Sequence, residues 1–286
     1  MKKFVIFILT CICVLISNAQ IKNAEGKKVI KKIEVYPYDE TKPTSTVEFN
    51  YTNNLDLKEI VLTNPSKDKL IWRMDGDILR HVEYDSEGNL KSERDYHYKL
   101  INGLITECII DNIGLDGRVL RYSRYYHYDN ENRLVTVDRH VFFHENKKEF
   151  SELSDRYREL FSWDDNGNVY TTGDVGWTWK NGEEFDPSVM YKKRVYNTEL
   201  ENDTNIDFSM LLDNFSNQER FENVTEWMGK HSSNLLETNI FNYFDYVYDK
   251  ESDETDSTKD KGNIIQIIVY ASNKKLRSTY KITYLE

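Results

Sequence analysis

Apolar and polar residues alternate along most of the chain, in short segments that end at turns. Two neighbouring segments show this clearly. The residues on one face are Tyr122, Arg124, Tyr126 and Tyr128 in the first segment, and Val135, Val137, Arg139, Val141 and Phe143 in the second. A period of two indicates β-strands with one packed face and one wetter face. About a dozen strands are predicted between 29–36 and 276–284, a number that suits a large curled meander or a barrel.

Short turns rich in Asp, Asn and Gly separate these strands. In the runs 84–90, 128–134 and 163–169, an aromatic strand end leads through such a turn to an apolar residue. Asp at the start of a turn can bond its own backbone, and Gly or Asn can take the positive φ that hairpins need. We therefore predict a mainly β fold, a large curled antiparallel meander or barrel-like sheet of hairpin repeats.

One region, about 205–236, breaks the alternation with helical spacing. Its apolar residues fall into two sets, Phe208, Leu211, Leu212 and Phe215, then Phe221, Val224, Trp227 and Met228. We predict two short helices inserted near 206–228, with Asp207 as the first N-cap and Gly229 as the second C-terminal stop. Such short helices need tertiary packing, so we expect the segment to cover the concave face of the sheet, as a permanent plug rather than a moving lid.

The N-terminus has the pattern of a signal peptide. Lys2 and Lys3 precede the apolar run 4–16, and the small residues Ser17 and Ala19 occupy the −3 and −1 positions of a cleavage site before Gln20. The run is too short for a membrane anchor, which needs about 20 apolar residues. We expect residues 1–19 to be a signal peptide and 20–286 to be a single β-domain with a mobile acidic loop at about 249–261.

The three cysteines bear on lipidation and on disulfide bonding. Cys11 and Cys13 lie within the apolar run without the small preceding residues of a lipidation site, so an unlipidated protein of the periplasm or cell surface is expected. Cys108 would then be the single cysteine left, which excludes an intramolecular disulfide. Its apolar surroundings predict a buried and inert thiol.

Charge limits the choice of partners. Without Lys2 and Lys3, the chain carries 36 basic and 49 acidic residues, a formal charge of −13. Nucleic acid and anionic lipid both need a cationic face, so neither is an expected partner. Arg124 and Arg139 also interrupt the best apolar faces of their strands, and an arginine at mid-bilayer costs about 2–4 kcal/mol. The protein is therefore expected to be soluble and not membrane-spanning.

Two resemblances add to this picture. The run 126–134, Tyr-His-Tyr-Asp-Asn-Glu-Asn-Arg-Leu, resembles the hairpins of YD-repeat proteins. The runs 205–208 and 228–235, with the aromatic strand that ends at 246–249, resemble an uncharacterised family of exported Bacteroidetes proteins over roughly 70–286. That family is a domain of unknown function with a porin-like β-fold, so the resemblance implies an architecture and no activity. The acidic loop, and Asn132 in place of the usual turn glycine, depart from it.

Candidate chemical sites are weak. His140 and His144 share a strand face beside Glu145, but a zinc site needs further converging ligands. The run 164–168 is rich in oxygen ligands, yet Gly173 stands where a calcium loop needs Glu. The usual catalytic and phosphate-binding motifs are missing, so no catalytic, cofactor-binding or metal residue is predicted, no cofactor is expected, and the protein is not expected to be an enzyme.

Aromatic residues give the remaining signal. Trp177 and Trp179 share a face beside Trp163. We expect them to be core residues; exposed, they would form a stacking platform for sugars or a protein. Our leading hypothesis is a non-catalytic secreted or periplasmic binding protein for a glycan, an apolar ligand or an envelope protein. The alternatives are a structural or assembly component of the cell envelope and an unrecognised carbohydrate-active enzyme.

Overall fold

The structure is a computed structural model that describes residues 26–38, 40–76, 78–102, 104–113, 119–144, 152–180, 183–184, 188–208, 211–212, 230–239, 241–249 and 262–285. The predicted signal peptide, the predicted second helix and residues 250–261 of the acidic loop lie outside these ranges.

The described chain is built almost entirely from β-strands. They are β1 Ile30–Pro37, β2 Ser45–Tyr51, β3 Leu57–Thr63, β4 Lys69–Asp75, β5 Ile78–Tyr84, β6 Leu90–Ile101, β7 Leu104–Ile113, β8 Val119–Tyr128, β9 Leu134–His144, β10 Glu152–Trp163, β11 Val169–Lys180, β12 Glu183–Glu184, β13 Ser188–Glu201, β14 Asn234–Asn239, β15 Asn242–Tyr248, β16 Ile264–Ala271 and β17 Leu276–Tyr284.

These strands form a closed antiparallel barrel. Neighbours along the chain pair with each other, and β1 pairs with both β2 and β17, which closes the ring. β12 forms a separate two-residue ladder on β11, and β11 also pairs with β13, so the described wall counts sixteen strands. The predicted mainly β, barrel-like fold is confirmed. The predicted strand number was too low, partly because β14 begins inside the region assigned to the helical insertion.

The turns use the predicted chemistry. The Asp85 carboxylate accepts hydrogen bonds from the backbone N–H groups of Glu87 at 2.9 Å and Asn89 at 2.8 Å. The side-chain amide and then the backbone N–H of Asn89 lower the pKa of Asp85. Asp129 and Asp164 accept bonds in the same pattern. Asn132 takes a φ of 61° and Gly167 a φ of 80°, so Asn132 replaces the usual glycine without loss of the turn.

The inner face of the barrel is mostly apolar. Ile33, Val47, Ile60 and Ile267 are 0% exposed and belong to one continuous hydrophobic cluster. Burying an aliphatic side chain of this size contributes about 1.5–3 kcal/mol, so this face supplies the core.

The outer face of β3–β6 and of β9 and β10 carries ion pairs. Arg73 and Glu59 pair across β3 and β4, with 2.6 Å between the arginine Nε and the carboxylate. Arg80 of β5 reaches Glu93 of β6 at 3.2 Å. A further ion pair on this face is the two-bonded pair Arg158–Asp138 at 2.7 and 3.0 Å. Polar residues therefore cover the wall within the strands and not just at the turns.

The connection between β13 and β14 lies at the barrel end where β1 begins, which we call the insertion end. Ile206 and Leu211 are 0% exposed, Phe208 is 1% exposed, and all three join the hydrophobic cluster of the barrel. The described part of the insertion therefore packs against the core, and the choice between a permanent plug and a moving lid stays a prediction. None of the described helical residues belongs to a segment with the length and hydrophobicity of a membrane-spanning helix.

Helical structure in the described insertion is limited to Phe208, Leu211 and Leu212. The Leu211 N–H donates to the Asp207 carbonyl at 2.9 Å, which is the first helical bond expected from an N-cap residue. The Asp207 carboxylate accepts the Ser232 N–H at 3.0 Å and so joins the two ends of the insertion. The two-helix assignment as a whole stays a prediction.

Buried and half-buried tyrosines link neighbouring strands at the insertion end. The hydroxyls of Tyr51, Tyr246 and Tyr284 donate to backbone carbonyls of Ile30 at 2.6 Å, Leu236 at 2.7 Å and Ile264 at 3.1 Å, respectively. Burial raises the pKa of Tyr246 and of Tyr284, which keeps both phenols neutral and able to donate. These aromatic residues at strand ends thus link neighbouring strands through hydrogen bonds to backbone carbonyls.

Candidate functional site

The two sides of the barrel interior differ in composition. The inner faces of β1–β5 and β14–β17, which we call the aliphatic half, present mostly Ile, Leu, Val and Phe. The inner face of β7–β10 carries a transverse line of residues that we call the arginine row: Cys108, Arg124, Arg139 and Tyr157. Because charged side chains inside a closed barrel are uncommon and costly, this row is the candidate functional site.

Strand register creates the arginine row. Cys108 of β7 pairs with Arg124 of β8, which pairs with Arg139 of β9, which pairs with Tyr157 of β10. Directly opposite residues in antiparallel strands project to the same face. Cys108 is 0% exposed and faces the core, so its row neighbours point inward with it. The two guanidinium groups consequently face the interior from adjacent strands.

Tyrosine rings hold one of the two arginines. The guanidinium carbon of Arg139 lies 5.1 Å from the ring centre of Tyr122 and 5.5 Å from that of Tyr157. Contacts of this kind stabilise a cation over the ring face and restrict its orientation. The planar edge of the guanidinium is then positioned to donate hydrogen bonds.

The arginine row opens onto a small pocket. Its lining residues are Arg124, Tyr126, Leu134, Val137, Arg139, Glu159 and Phe161. The walled part has room for about one water molecule, so the pocket suits a small group rather than a whole large ligand. Tyr157, beside Arg139, is 42% exposed, so solvent reaches the edge of the row.

Charge is unevenly distributed in this pocket. The lining contains two arginines and one carboxylate, Glu159. Glu159 pairs in register with Val137, two residues along β10 and β9 from the Tyr157–Arg139 pair and therefore on the same face. Two cations directly opposite each other repel, so a carboxylate at the same pocket offsets part of that repulsion.

The predicted burial of the thiol is confirmed. Cys108 forms no disulfide and is fully buried in the hydrophobic cluster, and its inertness stays a prediction. It lies in the arginine row by register, a placement that its local sequence did not indicate.

Among the described residues, the weak metal candidates gain no further ligands. His140 lies on the outer face, with its ring centre 5.3 Å from that of Tyr125. The side chain of His144 and the whole of Glu145 lie outside the described parts. In the run 164–168, the Asp164 carboxylate accepts two backbone N–H groups of its own turn. Within the described ranges, no three His, Cys, Asp or Glu side chains group as metal ligands.

The tryptophan group is described in part. Trp163 is half-buried, and its indole Nε1–H donates to the Leu134 carbonyl at 2.8 Å. The guanidinium of Arg133 lies 5.8 Å from its ring centre. Trp163 thus links β10 to β9 through a hydrogen bond to the backbone. The side chains of Trp177 and Trp179 are not among those described, so their role stays a prediction.

Arg124 and Arg139 are unusual in the sequence, but the sequence does not predict that both line an interior pocket. Arg124 and Arg139 stood out because each interrupts an apolar strand face, and we used them as evidence against a lipid-facing wall. The structure places both on the inner face, where they face each other. Glu159 could not be predicted as a pocket residue, because its position relative to the two arginines depends on the register between β9 and β10.

Comparisons with known proteins bear on the fold. No family model matches the chain, and no curated protein matches it. The chain is similar to a porin-like protein from Bacteroides vulgatus ATCC 8482 known from a crystal structure, with 13% identity and a TM-score of 0.52 over 90% of this chain and 98% of that chain. A porin-like protein from Bacteroides uniformis ATCC 8492 shares 12% identity, with a TM-score of 0.47 over 91% and 99%.

The likeness to the Bacteroides vulgatus protein shows a porin-like β-barrel fold, as the sequence resemblance implied. The resemblance of the hairpins to YD repeats stays a prediction.

Proposed function

We propose that the chain is a non-catalytic binding protein of the bacterial envelope, exported to the periplasm or the cell surface and soluble in water. One observation carries the proposal: the inner face of the barrel is mostly apolar, while ion pairs cover the outer face of β3–β6 and of β9 and β10. A membrane porin has the opposite arrangement, with an apolar band facing lipid and a polar, water-filled lumen.

The cost of placing this wall in lipid supports the proposal. Arg73 and Arg80 lie within β4 and β5, with exposed side chains on the outer face. An arginine at the bilayer midplane costs about 2–4 kcal/mol, falling toward the interfaces. Several such charges on neighbouring strands would exceed the net stability of an ordinary domain, which is about 5–15 kcal/mol.

Fractionation of cells that express the full chain tests the proposal. We expect the protein in the soluble envelope fraction, without detergent, with a mature N-terminus at Gln20 by intact-mass measurement. Recovery only from detergent-extracted membranes, or a mass that includes an acylated Cys11 or Cys13, would contradict it.

One observation favours the alternative of an envelope assembly component. Exposed large apolar side chains gather on neighbouring strands and one turn of the same wall segment: Tyr191, Val195, Phe241, Tyr243, Val247 and Ile265. Apolar patches of several hundred Å² often mark protein interfaces. Tyr243→Lys tests this role: an assembly component would lose co-purification with its partner, while a soluble binder of small ligands would behave as the wild type.

A further inference from the structure

We propose that two copies of this chain associate through the outer face of β13–β17, as a weak symmetric dimer. The surface centres on a line of residues that we call the outer row: Val195, Thr238, Tyr243, Tyr270 and Leu276. The inference goes beyond the proposed function, because it does not depend on what the barrel binds.

Strand register creates the outer row. Each of its residues pairs with the next across neighbouring strands, from Val195 of β13 to Leu276 of β17. Directly opposite residues in antiparallel strands share a face. Val195 is 51% exposed and Tyr243 is 43% exposed, so this face points away from the barrel interior. The row is therefore a nearly continuous apolar and aromatic strip across five strands.

More exposed apolar side chains surround the outer row. Tyr191, Phe241, Val247 and Ile265 lie on the same strands or in the turn between β14 and β15. Of the twelve large apolar side chains that are exposed in the described part of the chain, seven lie on β13–β17 or in that turn. Single exposed apolar residues are ordinary, whereas a contiguous patch of this kind often marks an interface.

The size of this patch suits a weak dimer. Its exposed apolar side chains present on the order of 600 Å², the upper end of what a typical monomer exposes as one patch. Stable protein pairs bury about 800 Å² on each partner, and weak or transient pairs bury less. An interface confined to β13–β17 is therefore expected to form at high protein concentration and to dissociate on dilution.

The outer row also crosses the junction of the wall that has the fewest paired residues. Between β14 and β15, Thr238 and Tyr243 are the one pair in register. Leaving β12 aside, every other pair of neighbouring strands in the described wall has at least four such pairs. A short ladder is expected to open more readily than a long one. A partner that covers this junction would stabilise it.

Two charged residues flank the outer row. Lys193 lies two residues from Val195 on β13, and Asp245 lies two residues from Tyr243 on β15, toward the opposite end of the barrel. Both are exposed, and within the described part of the chain neither forms an ion pair. Strand spacing and rise place them roughly 15 Å apart, too far to pair with each other in one copy.

This charge pattern favours a second copy as the partner. In a symmetric dimer the same surface is used by both copies, so a contact from one residue to another occurs twice. Lys193 of each copy can then meet Asp245 of the other, which forms two ion pairs across the apolar strip. The chain carries a net charge of −11, so two copies repel over most of their surface, and a patch with balanced charges is where they can approach.

The experiment is sedimentation velocity on the purified mature chain at low ionic strength. We expect a reversible equilibrium between monomer and dimer, with a Kd of roughly 10–100 μM. A monomer at every concentration up to about 500 μM, well above that Kd, would overturn the proposal. Growth of larger assemblies without a limiting dimer would also overturn it, because a symmetric interface closes at two copies.

Charge exchange assigns the interface. Lys193→Glu and Asp245→Lys should each raise the Kd about tenfold or more, because each variant places like charges against each other twice. An equimolar mixture of the two variants should dimerise again, since the new carboxylate of one meets the new ammonium of the other. The unchanged Asp245 and Lys193 then meet as well. No recovery in the mixture would overturn the proposal.

Lys67→Glu is the matched control. It makes the same change of charge at an exposed position in the turn between β3 and β4, far from the outer row. We expect it to dimerise as the wild type does. A loss of dimer equal to that of Lys193→Glu would mean that net charge and not this surface controls association, which would refute the proposal.

Hydrogen exchange tests the surface without any variant. Amides of β14 and β15 should exchange several-fold more slowly at a protein concentration above the Kd than below it, while amides of β3 and β4 should not change. Equal exchange of β14 and β15 at both concentrations would contradict the proposal. A complex with a different envelope protein in place of the dimer would refute this inference alone, whereas protein found solely in detergent extracts would refute the proposed function.

Discussion

The aliphatic half and the arginine row lie on the same closed sheet, yet they use its inner face differently. In the aliphatic half, Ile33, Val47 and Ile60 are fully buried and need no specific partner beyond close packing. In the arginine row, Arg124 and Arg139 face each other in register, where repulsion must be balanced. The aliphatic half therefore stabilises the barrel through packing, while the arginine row depends on charge and on ring contacts such as those of Arg139 with Tyr122 and Tyr157.

Loss of packing in the aliphatic half should have the largest effect. Ile60→Ala removes three buried carbons from a fully buried position, so we expect the free energy of unfolding to fall by about 2–5 kcal/mol. Ile71→Ala is the matched control, since Ile71 is half-buried and lies on the opposite face of the neighbouring strand. Urea unfolding followed by tryptophan fluorescence measures both. Equal losses in the two variants would mean that the inner face is not the core.

The insertion end should be next in sensitivity. The Asn205 side chain accepts the Ile30 N–H at 2.9 Å and donates to the Tyr51 hydroxyl at 2.8 Å, which fastens the insertion to the aliphatic half. Asn205→Ala leaves the Ile30 N–H without this partner and should cost about 1–3 kcal/mol. Asn50→Ala, which removes an exposed bond to Glu59, is the control and should change the free energy of unfolding by less than about 0.5 kcal/mol.

High pH should weaken the aliphatic half through its buried phenols. Burial raises the pKa of Tyr248 to about 12, and raises the pKa of Tyr246 and Tyr284 as well. An unfolded tyrosine titrates near pH 10, so the stabilisation is fully present below pH 10 and is lost as the pH rises toward the folded values. Each such tyrosine should steepen the decline by up to about 1.4 kcal/mol per pH unit.

Unfolding free energies measured between pH 8 and pH 12 check this expectation, with Tyr246→Phe for comparison. The variant should show a shallower decline above pH 10 than the wild type. A flat profile through pH 12 in the wild type would mean that these phenols ionise as easily in the folded protein as in the unfolded chain.

The smallest effect on stability is expected in the arginine row. Arg139→Met removes one of two facing cations and keeps an apolar stem beside Tyr122 and Tyr157, so we expect the free energy of unfolding to change by no more than about 1 kcal/mol. The same urea experiment measures it. A loss as large as that of Ile60→Ala would show that Arg139 is part of the structural core, and the contrast between the two halves would fail.

The sequence by itself determined the fold class and the local chemistry of the turns. Alternation with a period of two gave strands, and Asp85, Asp129 and Asp164 could be recognised as turn residues because their hydrogen bonds reach no further than four residues along the chain. Cys108 was likewise recognised as buried from its apolar neighbours. Interactions within a few residues leave their pattern in the sequence, so they can be read from it.

The tertiary structure alone decided the closure of the sheet, the inward direction of the arginines and their pairing. Closure depends on β1 meeting β17, some 250 residues apart along the chain. A period-two pattern shows that Arg124 and Arg139 share faces with apolar residues, but it cannot say which face is the interior, or that Glu159 lines the same pocket. Those relations come from strand register and curvature, which arise when the whole sheet pairs and its apolar face turns away from water.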